Sequence, residues 1–582
     1  MAITFTNGTQ LERSPLARPP LNRKFLVAMV ALYLVAVHLF SPHFLATGTG
    51  LSLLFNNAVW LVFGVVLGIG LYQIARNRYF RYNKLTLGLS ASCVLLLIPS
   101  FYGDANFYSL TPRMIGLLLG LLLFVLLQQF LFSNKQKQRL LWLVLIAALI
   151  EAVIGYGQYL IITPIDANTA VRPEGAFQHP NTMSSMLATG FIISGYLLAR
   201  LSHKYNRKAA SAITLYLTPV IIIPLIVIIA SRTGWLSAAM GGVMLIPYLY
   251  RHSTRKRFRG WVFSTLCGLA IGLLIGLSNA GSQNLITTKT QVNDFRTTLY
   301  PQALDMFIEK PLTGYGLGQF ESEYVVYSAR QHHLNPQYPA ALEGVSHPHN
   351  EVLLWGIEGG IIPILGLLLA AGLVLTRIYY AKKQTRLAIL ALILPIFLHA
   401  MLEQPFYHSM IHWITFIVLL YWIDQRTPRS SRINISRVTT HSVRAFAFIV
   451  PTMLVVAVST HLYGQYRIDQ YKQQEIDATA LIDSNNPLLN LNGNYMYAVN
   501  HAKLDLGLSE QNSQRIIDYI NWASKAIARQ PKPELYQGLL NAYQSQNAYS
   551  QMRQVESEAY YLFPNHVFSV KGSQAGSVLK PE

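Results

Sequence analysis

The chain reads as an all-α, polytopic membrane protein with one large polar loop and a helical tail. Three observations predict this class. Of 582 residues, 52% are hydrophobic and only 12% charged, against a charged fraction of about 25% in soluble domains. Apolar runs recur at the length, roughly 20 residues, that a helix needs to cross ~30 Å of hydrocarbon. Lys and Arg gather in alternate connections between those runs, as they do on the cytoplasmic side of a membrane.

Thirteen spans are expected in order: 24–41, 56–75, 85–101, 112–132, 140–163, 181–199, 211–230, 234–250, 260–278, 351–376, 387–402, 409–423 and 445–463. The first is not a secretory signal peptide, because no convincing small-residue cleavage site follows it and further spans do. Basic residues follow the even-numbered spans: Arg76, Arg78, Arg81 and Lys84 after the second, Arg251, Arg255, Lys256, Arg257 and Arg259 after the eighth, Arg426, Arg429, Arg432, Arg437 and Arg444 after the twelfth. The segment 1–23 is then cytoplasmic, and the loop 279–350 and everything after 463 lie on the opposite side.

The net charge of +20 is therefore an orientation signal. From 464 onward the chain holds 10 Lys/Arg and 11 Asp/Glu, so no basic domain stands ready for nucleic acid, and no nucleic-acid partner is expected. Cys93 and Cys267 both fall inside apolar spans, with neither a disulfide framework nor a metal-site spacing.

The large loop has local structure of its own. Phe295, Leu299, Ala303, Met306 and Phe307 recur with a helical period, predicting a helix over 294–309. Pro311 stops it, and Gly314, Gly316 and Gly318 follow as a turn. The segment 328–346 has little periodicity and reads as a mobile cover. Apolar positions from Trp522 to Leu562 predict antiparallel helix pairs, similar to tetratricopeptide hairpins, giving a helical domain over 464–570 and a disordered end over 571–582.

Four segments are expected to face outward: 164–180, Ser231-Arg232-Thr233-Gly234, the large loop, and Glu403 to His408. Topology puts all four on one side. His347 and His349 precede the tenth span, and three readings stand for them: interfacial histidines that help cap a helix, metal ligands lacking further partners at zinc-like spacing, or a general base that takes a proton near neutral pH. Arg232 is outward and at membrane level, either snorkelling or binding phosphate through its planar fork; Arg296 and Arg172 are outward too. Outward arginines beside a histidine point to an anionic, membrane-borne substrate, and a lipid pyrophosphate fits. Glu151 and Glu358 are intramembrane acids, each a functional candidate or the partner of an arginine or histidine. His399 and His412 read as packed, hydrogen-bonded residues. A transporter would need repeated halves with broken helices, and no internal repeat is evident.

Against known families, His349-Asn350 followed by Gly360 resembles the signature of bacterial O-antigen ligases and their relatives. Arg296-Thr-Thr-Leu-Tyr-Pro-Gln-Ala-Leu with Pro311-Leu-Thr-Gly-Tyr-Gly-Leu-Gly-Gln-Phe320 resembles the start of their large periplasmic loop, and Glu174-Gly-Ala-Phe-Gln-His-Pro-Asn181 their other periplasmic motif. Gln178, Gln404-Pro-Phe-Tyr407 and the tail ending Leu562-Phe-Pro-Asn-His566 are most similar to the PglL-type protein O-oligosaccharyltransferases; Pro363 departs from the branch that acts on lipid A core. The resemblance implies a GT-C-like fold in the bacterial inner membrane, with the active site and tail periplasmic. It implies an undecaprenyl-pyrophosphate-linked oligosaccharide donor and a pilin or other periplasmic acceptor protein, with neither metal nor cofactor. His349 is then the expected base, Arg232, Arg296 and Arg172 the pyrophosphate ligands, and Gln178, Tyr407, His347 and Asn350 the positioning residues. An O-antigen ligase using lipid A core as acceptor is the alternative.

Overall fold

The computed structural model describes residues 20–39, 50–102, 105–162, 172–201, 209–278, 280–290, 295–427, 430–483 and 486–569; the expected disordered end, 571–582, and residues 164–171 of the first segment expected to face outward lie outside them. Apolar segments in a bilayer must satisfy every backbone N–H and C=O internally, and nearly all of the described chain is helical. Ten helices among the described residues are long and apolar enough to cross a membrane, which makes this a polytopic helical protein. The three other expected spans fall short for different reasons. Asn22–Leu34 has 13 residues, Met410–Asp424 has 15, and Arg232–His252, though 21 residues long, has its apolar character diluted by Gly, Ser, Trp and Tyr.

The chain divides into two compact units. One comprises Met1–Val94, Ile115–Val292 and Gly366–Val458. Its centre is the helix Pro180–Arg200, buried continuously from Thr182 to Ala199. Around it pack Asn134–Ile162, Ala209–Ile229, Arg232–His252 and Arg386–Leu402. Polar side chains on a helix so enclosed are mostly partnered: Thr189 Oγ1 donates to the Ser185 carbonyl at 2.8 Å, and Trp261 Nε1 donates to Ser194 Oγ at 3.0 Å. Two short strands, Tyr79–Tyr82 and Ser431–Asn434, pair antiparallel with Tyr79 opposite Asn434.

The other unit comprises Leu95–Met114, Asn293–Leu365 and Ser459–Glu582. The loop helix expected from 294 runs Arg296–Glu309, ending just before Pro311. A second helix, Phe320–Leu334, enters the segment read as a mobile cover, and the strand of chain after it is tied down. Gln302 Nε2 donates to the Pro339 carbonyl at 2.7 Å, the Tyr324 hydroxyl donates to Gln302 Oε1 at 2.7 Å, and the Leu342 N–H donates to the Tyr324 hydroxyl at 3.1 Å. Weak hydropathic periodicity hid an element held by polar side chains.

The tenth span was expected as one helix over 351–376. It is two, Glu351–Gly359 and Ile361–Tyr380, because Gly360 turns at φ +71° and a Cβ there would sit 2.2 Å from the Leu312 carbonyl oxygen. Glu358 is buried against Arg113 in an ion pair, the partnered reading of that acid.

In the tail, Gly493–Ser509, Ser513–Ile527, Pro533–Ser545 and Tyr549–Leu562 pack each on the next. The expected boundary at 464 falls inside a continuous helix, Arg437–Lys472: the apolar run fades there but helical propensity does not. Tyr536, Leu540, Ala559, Leu562 and Phe563 form one core with Val325 and Ala329 of the loop helix Phe320–Leu334. Tail and large loop therefore share a hydrophobic core.

Candidate functional site

The expected site residues fall in two groups, one in each unit. His347, His349, Asn350 and Arg296 belong to the unit that holds the large loop. Asn350 caps the helix Glu351–Gly359, its side chain accepting from the Leu353 N–H at 3.0 Å. A cap needs extended backbone at its own position, so the reversal of direction falls on the residue before it. His349 stands there at φ +55°, a left-handed conformation that costs a non-glycine residue about 1 kcal/mol or more. Its backbone is held in part by neighbours: the His349 N–H donates to His347 Nδ1 at 2.9 Å, and the Tyr300 hydroxyl donates to the His349 carbonyl at 3.3 Å.

Because His347 Nδ1 accepts, its proton belongs on Nε2, which faces Glu351 Oε1 at 3.8 Å. His347 is buried, at 2% exposure, while His349 is half-buried. The His349 ring packs edge-on against Phe295, centroids 4.9 Å apart, and the Arg296 guanidinium covers the same ring at 4.9 Å. His349, its backbone brace and Arg296 are thus brought together by one loop-to-helix junction and the start of one helix.

Arg172, Gln178, Arg232 and Tyr407 belong to the other unit. The loop from Arg172 to Asn181 is held by polar side chains reaching out of apolar helices. Gln158 accepts from the Glu174 and Gly175 N–H groups at 3.0 and 2.8 Å and donates to the Gly175 carbonyl at 3.0 Å. Glu151, wholly buried, accepts from the Ala176 N–H at 2.9 Å and pairs with His38 Nδ1 at 2.7 Å, so it too is a partnered acid. Gly175 fits because it sits at φ +63° and a Cβ would lie 2.3 Å from Glu151 Oε2. The loop then turns left-handed at Gln178, φ +52°, and His179 caps Pro180–Arg200 through its ring, accepting from the Thr182 N–H at 3.3 Å. Burial pushes the His179 imidazole down to about 4, so it is a neutral cap near pH 7.

The His179 ring stacks on His408 at 4.4 Å, which places Gln178 and Tyr407 one residue to either side of a common stack. Arg172 Nε donates to the Ile229 carbonyl at 3.0 Å, and Arg232 Nε donates to the Lys289 carbonyl at 2.6 Å; the two arginines flank one turn, 229–232.

Asn181 and Glu403 were not singled out in the sequence. Arg172 Nη2 donates to Asn181 Oδ1 at 3.2 Å, and Asn181 Nδ2 donates to Glu403 Oε1 at 2.5 Å. Both lie in segments the charge pattern put outside, and that position was the available signal. His399 and His412 are hydrogen-bonded and fully buried, as expected of packed histidines.

Fold and site together define a multi-pass helical membrane protein with polar, arginine- and histidine-bearing loops outside its apolar helices. Two family models match the chain: O-Antigen ligase over residues 217–368, and Virulence factor membrane-bound polymerase, C-terminal, over residues 387–575. They support the O-antigen ligase superfamily, glycan transfer by a membrane ligase, and a lipid-linked glycan donor with an acceptor. The first match includes Arg232, Arg296, His347, His349 and Asn350; the second includes Tyr407 and the tail; Arg172 and Gln178 precede both. No curated protein matches the chain.

Proposed function

We propose that this protein is an oligosaccharyltransferase that moves a preassembled glycan from undecaprenyl pyrophosphate to Ser or Thr hydroxyls of periplasmic or pilin proteins. His349 is the general base. The acceptor oxygen attacks the anomeric carbon as His349 takes its proton; the bond from that carbon to the pyrophosphate oxygen breaks, and undecaprenyl pyrophosphate leaves. Arg296, Arg232 and Arg172 are the candidates for holding the pyrophosphate, where fixed cations stabilise charge that grows on the leaving group. Gln178 and Tyr407 are candidates for orienting sugar or acceptor, and His347 and Asn350 hold the base in place.

The observation that carries this reading is the brace on His349. A half-buried histidine is kept in a left-handed conformation by a neighbour's ring, a tyrosine hydroxyl and a helix cap, and strain of that kind collects where geometry matters to function. The acceptor class rests on resemblance and on the tail. The O-Antigen ligase match keeps lipid A core as the second acceptor to test.

The decisive experiment gives purified protein a lipid-linked oligosaccharide with either a pilin or lipid A core, with and without chelator. Transfer to the pilin, unaffected by chelator, is expected. His349→Ala, at equal expression, should lower it by about 10²–10⁴-fold. Near-normal turnover in that variant removes His349 from the mechanism; transfer to core alone moves the enzyme to the ligase branch; loss with chelator requires a metal.

A further inference from the structure

Behind Arg172 runs a buried chain of hydrogen bonds. His399 Nε2 meets Glu403 Oε2 at 3.1 Å, and His399 Nδ1 meets Ser185 Oγ at 2.8 Å. Ser185 Oγ meets His412 Nε2 at 3.0 Å, and His412 Nδ1 meets Ser409 Oγ at 2.9 Å. His399, Ser185, His412 and Ser409 are wholly buried and Glu403 is 5% exposed.

With the Ser185 proton on His399 Nδ1 rather than on the Thr182 carbonyl, one set of protons satisfies the four contacts above with both histidines neutral. Ser409 donates to His412 Nδ1, His412 Nε2–H donates to Ser185, and Ser185 donates to His399 Nδ1. His399 Nε2–H then donates to Glu403. The Thr182 carbonyl, which also lies within reach of Ser185, takes a share of the His412 proton at 3.1 Å. In this arrangement every donor along the chain points toward Glu403, which favours a carboxylate there.

A carboxylate only accepts. It therefore fixes the Asn181 amide with its NH₂ toward Glu403, and Asn181 Oδ1 must face Arg172. The guanidinium is held at Nε by the Ile229 carbonyl and at Nη2 by Asn181. Its third nitrogen, Nη1, makes no hydrogen bond among the described residues. An arginine with two nitrogens clamped by protein and one edge left over is prepared for an oxyanion.

We infer that Glu403 and Asn181 are positioning residues that aim Arg172 at a pyrophosphate group, with His399, Ser185 and His412 holding the Glu403 charge in place. The inference rests on the proposed pyrophosphate-linked donor. It adds a directional lock on one arginine, reaching from the helix Arg386–Leu402 through the N-terminus of Pro180–Arg200.

The test is equilibrium binding of geranylgeranyl pyrophosphate to the full-length purified protein, with geranylgeranyl monophosphate and inorganic pyrophosphate as parallel probes. Arg172→Lys keeps the charge and loses the fork; Glu403→Gln keeps the shape and loses the lock. Each should weaken geranylgeranyl pyrophosphate binding about tenfold, and the double variant should be little worse than either single one, since both act on the same fork. Monophosphate binding should change less, which a general loosening of the helices would not produce. Asn181→Ala, at a half-buried position, should repeat the Glu403→Gln result if that variant folds poorly. Weakening of inorganic pyrophosphate binding in step assigns the effect to the headgroup rather than the lipid. Unchanged affinity in Glu403→Gln and Asn181→Ala, or losses that multiply to about a hundredfold in the double variant, overturn the lock and leave the donor reading standing. Failure of the unmodified protein to bind any of the three probes overturns both.

Discussion

The loop that carries Gln178 and the junction that carries His349 both hold a polar residue in a left-handed turn just ahead of a helix, and they do so by opposite means. At His349 the brace is mostly local: His347 is two residues back, Asn350 is next, and Glu351 is four residues from His347. Around Gln178 it is remote. Glu151 and Gln158 come from another helix, and the Asn181 contact to Glu403 joins residues 222 apart. A local brace can be rebuilt wherever the sequence goes; a remote one exists only when the membrane helices are assembled. The comparison teaches that the geometry of the Arg172–Asn181 loop depends on helix packing, and that of the His349 junction on a short motif.

That contrast can be broken in graded ways. The largest effect is expected from Glu151→Ala. It leaves the Ala176 N–H and His38 Nδ1 buried without their acceptor or partner, at about 1–3 kcal/mol for each such group. The thermal midpoint of the detergent-purified protein should drop by several degrees, with new protease cleavage between 172 and 181. An unchanged midpoint means the loop is held by something else. His347→Ala should have a smaller and different signature. It removes the acceptor of the His349 N–H, about 1 kcal/mol. We expect turnover to fall about five- to tenfold at nearly constant KM with little change in midpoint; a lost midpoint with normal turnover would reverse the roles of the two regions.

The smallest effect is a matter of pH. An unfolded chain protonates a histidine near 6.5, while His179 in the folded chain resists until about 4. Between those values the unfolded state binds the extra proton, so stability falls as pH falls from 6.5 toward 4. His179→Gln should flatten the slope of midpoint against pH in that window, and an identical slope would show that His179 is not buried as described.

Much of this was legible in the residues. Ten of the expected spans have long apolar helices because hydropathy is read locally, and the helix Arg296–Glu309 was visible in its period and its closing proline. His349-Asn350 stood out because its partners are neighbours in sequence. Asn181 and Glu403 did not, because nothing near either one announces the other, and a hydrogen bond between distant segments has no periodicity. The break at Gly360 was masked by the apolar run on both sides; what forces it is the Leu312 carbonyl, which belongs to a distant turn. Helix Phe320–Leu334 was missed for the related reason that its buried residues meet distant partners, Val325 and Ala329 the tail and Tyr324 the Gln302 side chain.

The ribbon that pairs Tyr79 with Asn434 has a consequence for how the protein is made. Its first strand leaves the ribosome early, and its second only after the intervening helices have been synthesised. Through that interval the early strand has an unpaired edge, open to any other extended chain. Closing the ribbon is among the highest-contact-order events in assembly and is expected to come late. The four residue pairs, placed directly before the helix Arg437–Lys472, thus join segments that can meet only once the intervening helices have been made.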